Sequence, residues 1–344
     1  MGAQRHEAPD AKNAARGHMK TVIVVIAFNE EANIERCLSA LLHQVLEEPF
    51  EVLVVDDGST DRTAEIVRTM AEVHGSLHLI EHGTNQGRGA ARRHGQDWAR
   101  SEFIGFVDAD IVVPSNWLTD LFDAIADVDG VSGIALPDGD VAVVARMSGA
   151  TLRARGGSAE ITGNNVLFRR TALETVGFEE KSRLGEDFRL AKRMVRAGLR
   201  LRTTGAVIVE HREAKPYRRA FLWMWESGLD ASSLLFEFGA IRLPDTAALG
   251  WAAVVVVSAW LAVVGAISVF DALAVGLLAT SAIDVAMVWT RFLVRPRPAR
   301  WFAAVILNWP LTAAYLFGRT AGLVKCLLDL GTVFVKKTFG RSEP

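Results

Sequence analysis

Asp108-Ala109-Asp110 closes the apolar run Phe103-Ile104-Gly105-Phe106-Val107 and is followed by Ile111-Val112-Val113-Pro114. Two carboxylates one residue apart repel each other unless a cation compensates them, so at a strand end this spacing suits Mg²⁺ or Mn²⁺ carrying an anionic diphosphate. That chemistry is nucleotide-dependent group transfer. A solvated aspartate turn, capping a helix that starts near Asn116, accounts for the same triplet, and the triplet alone does not choose between them.

The surrounding pattern supplies the elements that would position such a triplet. Thr21 to Ala27 (TVIVVIA) is a continuous β-branched run, as expected of a strand buried on both faces, and it breaks at Phe28-Asn29-Glu30-Glu31 into a helix bearing Ile34, Leu38, Leu41 and Leu42. Phe50 to Val55 repeats the pattern and ends in Asp56-Asp57-Gly58-Ser59-Thr60-Asp61 before a second helix. Leu77 to Glu81 leads into Gly83-Thr84-Asn85-Gln86-Gly87-Arg88-Gly89 and a helix through Trp98. Strands alternating with single helices predict an α/β fold with a mostly parallel, Rossmann-like sheet, its polar loops gathered at the strand C-termini where ligands bind. Each loop alone is also explained as a turn or a helix cap. Four at successive strand ends predict one crevice.

The segments VIAFNEEANIERCL, EVLVVDDGSTDRTAEIV, NQGRGAARRHG and FIGFVDAD together resemble an inverting glycosyltransferase of family 2, with the GT-A fold, over about Lys20 to His211. The resemblance implies that Ala27, Asn29, Glu30, Asp56, Asp57 and Arg88 meet the nucleotide. Asp108 then lies near the ribose and Asp110 on the metal. The chain has no Walker lysine loop and no Gly-Xaa-Gly-Xaa-Xaa-Gly run after its first strand, which excludes a P-loop nucleotidase and a dinucleotide enzyme.

After Asp140, Gly163-Asn164-Asn165-Val166-Leu167-Phe168 leads to a short helix and Gly185-Glu186-Asp187-Phe188 opens a longer one through Ala197. A carboxylate in the first turn of a helix is favoured by unpaired N–H groups and the dipole, which explains Asp187 without any catalytic role. The family resemblance implies instead that Asp187 is the general base for an acceptor hydroxyl, with Glu186 orienting the acceptor or its neighbour and Gly163 and Asn165 in the acceptor loop. It also implies His211, at the end of a later strand, as a further metal ligand. An imidazole nitrogen suits Mn²⁺ better than Mg²⁺.

Charge of both signs runs through the first 240 residues and then nearly vanishes from Thr246 to about Leu330. The pattern predicts five parts: a disordered leader over 1–19, with Met19 an alternative start, a catalytic domain over 20–214, an interfacial amphipathic helix over 215–245, transmembrane helices over 246–335 and a basic tail over 336–344. Ala247 to Val269, Ala272 to Val294 and Trp301 to Gly322, bent at Pro310, are the candidate crossings, and Asp284 inside the second needs a partner such as Arg291 or a lipid headgroup. The loop Arg295 to Arg300 places the catalytic domain on the cytoplasmic side of the cell membrane. The basic tail breaks that rule if all three segments cross. Net charge of −2 gives no nucleic-acid footprint, and Cys37 and Cys326 make no metal or redox spacing.

The expected reaction is transfer of a sugar, with inversion, from a nucleotide-diphosphate donor to a lipid-linked hydroxyl acceptor. A polyprenyl-phosphate sugar synthase is the alternative within the class, since an anionic phosphate acceptor needs no base. A processive polysaccharide synthase would call for a Gln-Xaa-Xaa-Arg-Trp motif, from which Arg218 to Trp223 departs. A membrane scaffold or transporter with a non-catalytic nucleotide-binding domain is the alternative from another class.

Overall fold

The computed structural model describes residues 21–46, 48–137, 161–181, 185–211, 217–239, 243–292 and 301–339. The expected leader, the arginine loop 295–300 and the last five residues of the tail lie outside these. The chain divides into two units, residues 1–138 with 150–212, and residues 139–149 with 213–344.

In the first unit, strands β1 (Thr21–Ala27), β2 (Phe50–Asp56), β3 (Leu77–Glu81) and β4 (Phe103–Asp108) alternate with helices α1 (Ile34–Leu42), α2 (Thr63–Val73) and α3 (Arg88–Trp98). All seven residues of β1 are buried, because the sheet continues on both sides of it and helices cover both faces. β1 pairs in parallel with β2 and with β4, so the chain order reverses direction across the sheet between these neighbours. Crevices at such reversals, beyond the strand C-termini, are where open α/β sheets take ligands.

The later part of the unit departs from the simple alternation. Strands β5 (Ile111–Val112), β6 (Gly130–Pro137), β7 (Asn165–Arg169) and β8 (Leu201–His211) and helices α4 (Trp117–Ala124), α5 (Arg170–Thr175) and α6 (Glu186–Arg196) complete one eight-stranded mixed sheet in the order β3-β2-β1-β4-β7-β6-β8-β5. β7 runs antiparallel to β4, with Asn165 opposite Val107, so it begins at the edge where β4 ends. β5 runs antiparallel to β8, with Ile111 opposite His211. These two reversals bring late-sequence residues to the early loops. Beneath them Phe106 packs edge-on against Phe178 and Phe168 within a core shared with Val24, Leu53, Ile104 and Leu190.

The second unit is helical: α7 (Tyr217–Phe238), α8 (Leu243–Val263), α9 (Val269–Phe292) and α10 (Trp301–Phe339), the last continuing through Pro310. α7, expected as an interfacial helix, packs along α10 backbone to backbone. A methyl group on Gly318 would stand 2.3 Å from the Trp225 carbonyl oxygen, on Gly228 2.4 Å from that of Tyr315, and on Gly322 2.6 Å from that of Leu229. Ala220 and Met224 cluster with Leu311 and Ala314 while Leu229 lies farther along against Gly322, so the two helices run parallel, and Ser232 Oγ donates to the Arg319 carbonyl at 2.8 Å. Small residues that let backbones approach are a device of helix pairs in apolar surroundings.

α8 and α9 form a hairpin in which Trp251 Nε1 donates to Thr280 Oγ1 at 2.9 Å. Among the described residues two helices are long and apolar enough to cross a membrane, at Thr246–Val263 and Val269–Ala286. The third expected crossing lies within α10, where the side chains of residues 301–304 and 307 are outside the described residues. Val256, Trp260, Leu273 and Leu278 on the hairpin are exposed, whereas Asp284 is buried and accepts hydrogen bonds from Asn308 Nδ2 and from Thr312 Oγ1 at 2.7 Å. The side chain of Arg291, its expected partner, lies outside the described residues.

Candidate active site

Pairing register brings the first loops level. Ala27 stands opposite Asp56, and Ile26 opposite Asp108, so β1, β2 and β4 end at one edge. Backbone and side-chain bonds then lace the loops together. The Asn29 N–H donates to Ser59 Oγ and the Thr60 N–H to Asn29 Oδ1, each at 2.8 Å, with Asn29 at φ +56°, a left-handed conformation that asparagine tolerates better than most residues. The Glu30 N–H donates to Thr63 Oγ1 at 2.8 Å.

The paired aspartates after β2 are buried within this lacing. Asp56 accepts from the Ser59 N–H and hydroxyl, which tightens its own turn. Asp57 accepts from the Gln86 and Gly87 N–H groups, both at 2.8 Å, and His82 Nδ1 lies 2.8 Å from it, with His94 Nδ1 2.7 Å from the far nitrogen of His82. Asp57 thereby fixes the turn that presents Arg88. Ala27, also buried, contributes its carbonyl, which accepts from the Asp57 N–H at 2.8 Å.

Arg88 opens α3 and is exposed. Desolvation at its guanidinium acts to lower the pKa, but the combined field of Asp108, Asp110, Asp187 and Glu30 outweighs it and holds the group above its ordinary value. Acids from three separated segments thus act on one cation. Expected site residues far apart in sequence converge here.

At the triplet, Asp110 Oδ2 lies 3.0 Å from His211 Nε2, a contact created by the pairing of β5 with β8. Two ligands on neighbouring corners of an octahedron with bonds of ~2.1 Å stand ~3 Å apart, so this carboxylate and imidazole fit adjacent positions on a divalent cation. No group of three or more histidine, cysteine, aspartate or glutamate side chains surrounds a single point among the described residues. The pair would rely on the diphosphate and water for the rest of a shell. Cys37 lies behind the triplet, its thiol pushed far above the ordinary range by burial and by Asp110, Asp108 and Glu30, which keeps it protonated and unreactive.

Gly185, at φ +65°, turns the chain into α6 and sets Glu186 and Asp187 in the first turn. Asp187 Oδ2 accepts from the Gly163 N–H at 3.0 Å and Oδ1 from the Phe188 N–H at 2.7 Å, so the expected acceptor loop and the expected base meet. The other two residues expected on this side are covered. Asn165 is fully buried, with Oδ1 accepting from Trp117 Nε1 at 2.6 Å, and so supports its loop from below. Glu186 is 4 % exposed and accepts from Arg92 Nη1.

Arg92 is the residue that sequence reasoning missed. It lies one helical turn beyond Arg88 and is 1 % exposed, with Nη2 donating to Asp108 Oδ1 at 2.8 Å while Nη1 meets Glu186. Burial draws its pKa below the ordinary value, and Asp108 and Asp187 oppose that. The available signal was its i, i+4 spacing from Arg88 on a short helix, which places both on one face.

Comparison with known proteins agrees with this geometry. Residues 22–177 match the family described as Glycosyl transferase family 2. The glycosyltransferase AglE of Haloferax volcanii is 29% identical over 205 residues, 57% of this chain and 67% of that protein. The dolichyl-phosphate beta-glucosyltransferase ALG5C of Trichomonas vaginalis is 39% identical over 97 residues, which are 26% of this chain and 29% of that protein. Among solved structures, the mannosyltransferase PcManGT of Pyrobaculum calidifontis, in complex with GDP-Man and Mn²⁺, superposes with a TM-score of 0.57 at 22% identity, over 89% of this chain and 87% of that one. Over residues 22–177 the chain is thus similar to glycosyltransferase family 2, its first unit has a GT-A-like fold, and these likenesses support a glycosyltransferase.

Proposed function

We propose that this enzyme moves a sugar, with inversion, from a nucleotide-diphosphate sugar to the hydroxyl of a lipid-linked acceptor, with Asp187 as general base. The observation that carries this is the meeting of the triplet with the later loops: Arg92 bonds both Asp108 and Glu186, Asp187 accepts from the Gly163 N–H, and Asp110 lies 3.0 Å from His211. In the proposed arrangement Asn29, Glu30 and the Asp57-latched turn frame the nucleotide, Asp108 meets the ribose, and Arg88 faces the diphosphate. Asp110 and His211 hold Mg²⁺ or Mn²⁺. When bound, that cation neutralises charge on the departing nucleotide diphosphate.

Asp187 does the remaining work. An acceptor hydroxyl attacking the anomeric carbon must lose a proton as the bond forms, and a positioned carboxylate contributes ~10²–10⁴-fold to such a step. Both Asp187 oxygens accept backbone N–H bonds, which orient the carboxylate while leaving lone pairs for the hydroxyl. Glu186, buried against Arg92, serves its neighbour and not the acceptor.

The lipid-linked acceptor rests on the second unit. The exposed apolar surface of the α8–α9 hairpin and its two candidate spans support anchoring in the cell membrane, and the arginine loop 295–300 supports a cytoplasmic catalytic unit, where nucleotide sugars are available. Likeness to a dolichyl-phosphate glucosyltransferase favours a second reading, a polyprenyl phosphate acceptor. One experiment separates them. Asp187→Asn is expected to keep Mn²⁺-dependent binding of UDP or GDP and to lose at least ~10²-fold in transfer to lipid extract, tested with a panel of labelled UDP- and GDP-sugars. Undiminished transfer refutes the base and leaves the phosphate acceptor.

A further inference from the structure

We propose that Arg92 is a positioning residue that fixes the Glu186–Asp187 turn against Asp108, so that the donor-side and acceptor-side carboxylates keep a set separation. The inference rests on the reading of Asp187 as base and adds how that base is held. A guanidinium is a planar fork, and here its two terminal nitrogens address carboxylates from different elements, Asp108 at the end of β4 and Glu186 at the start of α6. The cation is closed off on its remaining sides. Its Cζ lies 5.8 Å from the Phe178 ring centroid, and Gly163 is so close that a methyl group there would stand 2.9 Å from Cζ.

This arrangement explains two buried acids at once. Glu186 and Asp108 are both buried, and a carboxylate removed from water is costly unless a cation meets it. Arg92 meets both. Because Glu186 is spent on that pairing, its effect on transfer runs through the adjacent Asp187, whose carboxylate is aimed by the same helix turn. A lysine carries the charge but offers a single point, so it can hold one of the two carboxylates and not the span between them.

The test uses the full chain in detergent micelles with the UDP- or GDP-sugar that supports turnover. Arg92→Lys is expected to lower kcat ~10–100-fold, the scale of a small misplacement of a reacting group. Donor KM and the Mn²⁺-dependent affinity for UDP or GDP should stay within about threefold, the signature of an interaction lost on the way to the transition state. Glu186→Gln, which keeps the shape, should behave alike and decides the matter if Arg92→Lys does not fold. In an Asp187→Asn background the lysine should cost less than about threefold more, since the group it positions is already disabled.

Three results overturn the proposal: kcat retained in both variants, a loss that repeats in full in the Asp187→Asn background, or donor affinity falling in proportion to kcat. Undiminished kcat in Asp187→Asn alone instead refutes the base reading, so the two failures are told apart.

Discussion

Replacing Gly163 by alanine adds one methyl group at the most crowded point of the site. The new carbon would stand 2.9 Å from Arg92 Cζ and Nη2 and 3.0 Å from Asp187 Cβ. The end of an arginine ordinarily swings aside at little cost, but this one is pinned by Asp108 and Glu186 and has no room to retreat. The strain therefore falls on the Gly163 loop and the Asp187 turn that it holds. Overpacking of this kind costs about 1–3 kcal/mol, and the stiffer unfolded chain returns about 0.4–1 kcal/mol, which leaves a net loss of stability of at most about 2.6 kcal/mol. Displacing a base by a few tenths of an ångström to an ångström should cost more in rate than in stability, ~10–100-fold in kcat. Steady-state kinetics with the donor varied, alongside a thermal melt, separates the two. Gly205→Ala, where nothing lies within 4 Å of the added carbon, is the control and should change neither. Unchanged kcat in Gly163→Ala would refute the reasoning that Asp187 is aimed from this loop.

Other expectations follow from single contacts. His211→Ala should raise the Mn²⁺ concentration needed for half-maximal turnover ~10-fold or more while leaving saturated turnover largely intact; an unmoved metal titration excludes the imidazole as a ligand. Gly318→Leu should destabilise the helical unit by at least ~2 kcal/mol, because the side chain would enter the Trp225 backbone, and a melt equal to wild type contradicts the α7–α10 packing. Desolvation acts to raise the Asp61 pKa, but bonds from Thr63 and from the Glu31 N–H outweigh it and hold the carboxyl below its ordinary value. A folded pKa below the unfolded one means stability that is present above the ordinary carboxylate range and lost as pH falls through the folded value. Asp61→Asn should therefore show a shallower loss of stability than wild type below about pH 4, and parallel acid profiles would contradict the linkage.

The gathering of the first loops at one sheet edge was legible because its signals are local. The run from Thr21 to Ile26 is β-branched throughout, a pattern expected of a strand covered on both faces, and polar loops follow this and similar apolar runs. The loops needed only strand order to be brought together. Arg92 was hidden for the opposite reason. Beside it in the same helix, Arg93 makes an ordinary exposed pair with Asp97, and only the i, i+4 spacing from Arg88 separates the two arginines in the sequence until the packing of α6 buries one of them. The role of Glu186 was obscured by the same dependence on tertiary contact. His211 depended on β8 continuing far enough to pair with the two residues of β5, a long-range register that no local pattern announces. In the helical unit, Gly318 and Gly322 with Gly228 and Ser232 carry the close-approach spacing, yet the two strongly apolar helices between them made length and hydropathy the louder signal.

In the proposed site, distant acidic turns at one sheet edge jointly hold a cation and a nucleotide diphosphate. Calorimetric titration of UDP and GDP into the full chain, with and without Mn²⁺, tests it most directly in wild type and Asp110→Ala. Wild type should bind one of these nucleotides at least ~10-fold more tightly with Mn²⁺, an increment of about 1.4 kcal/mol or more, and Asp110→Ala should lose that increment while keeping its melting temperature. An Asp110→Ala protein whose nucleotide affinity still rises with Mn²⁺ as in wild type would contradict the claim.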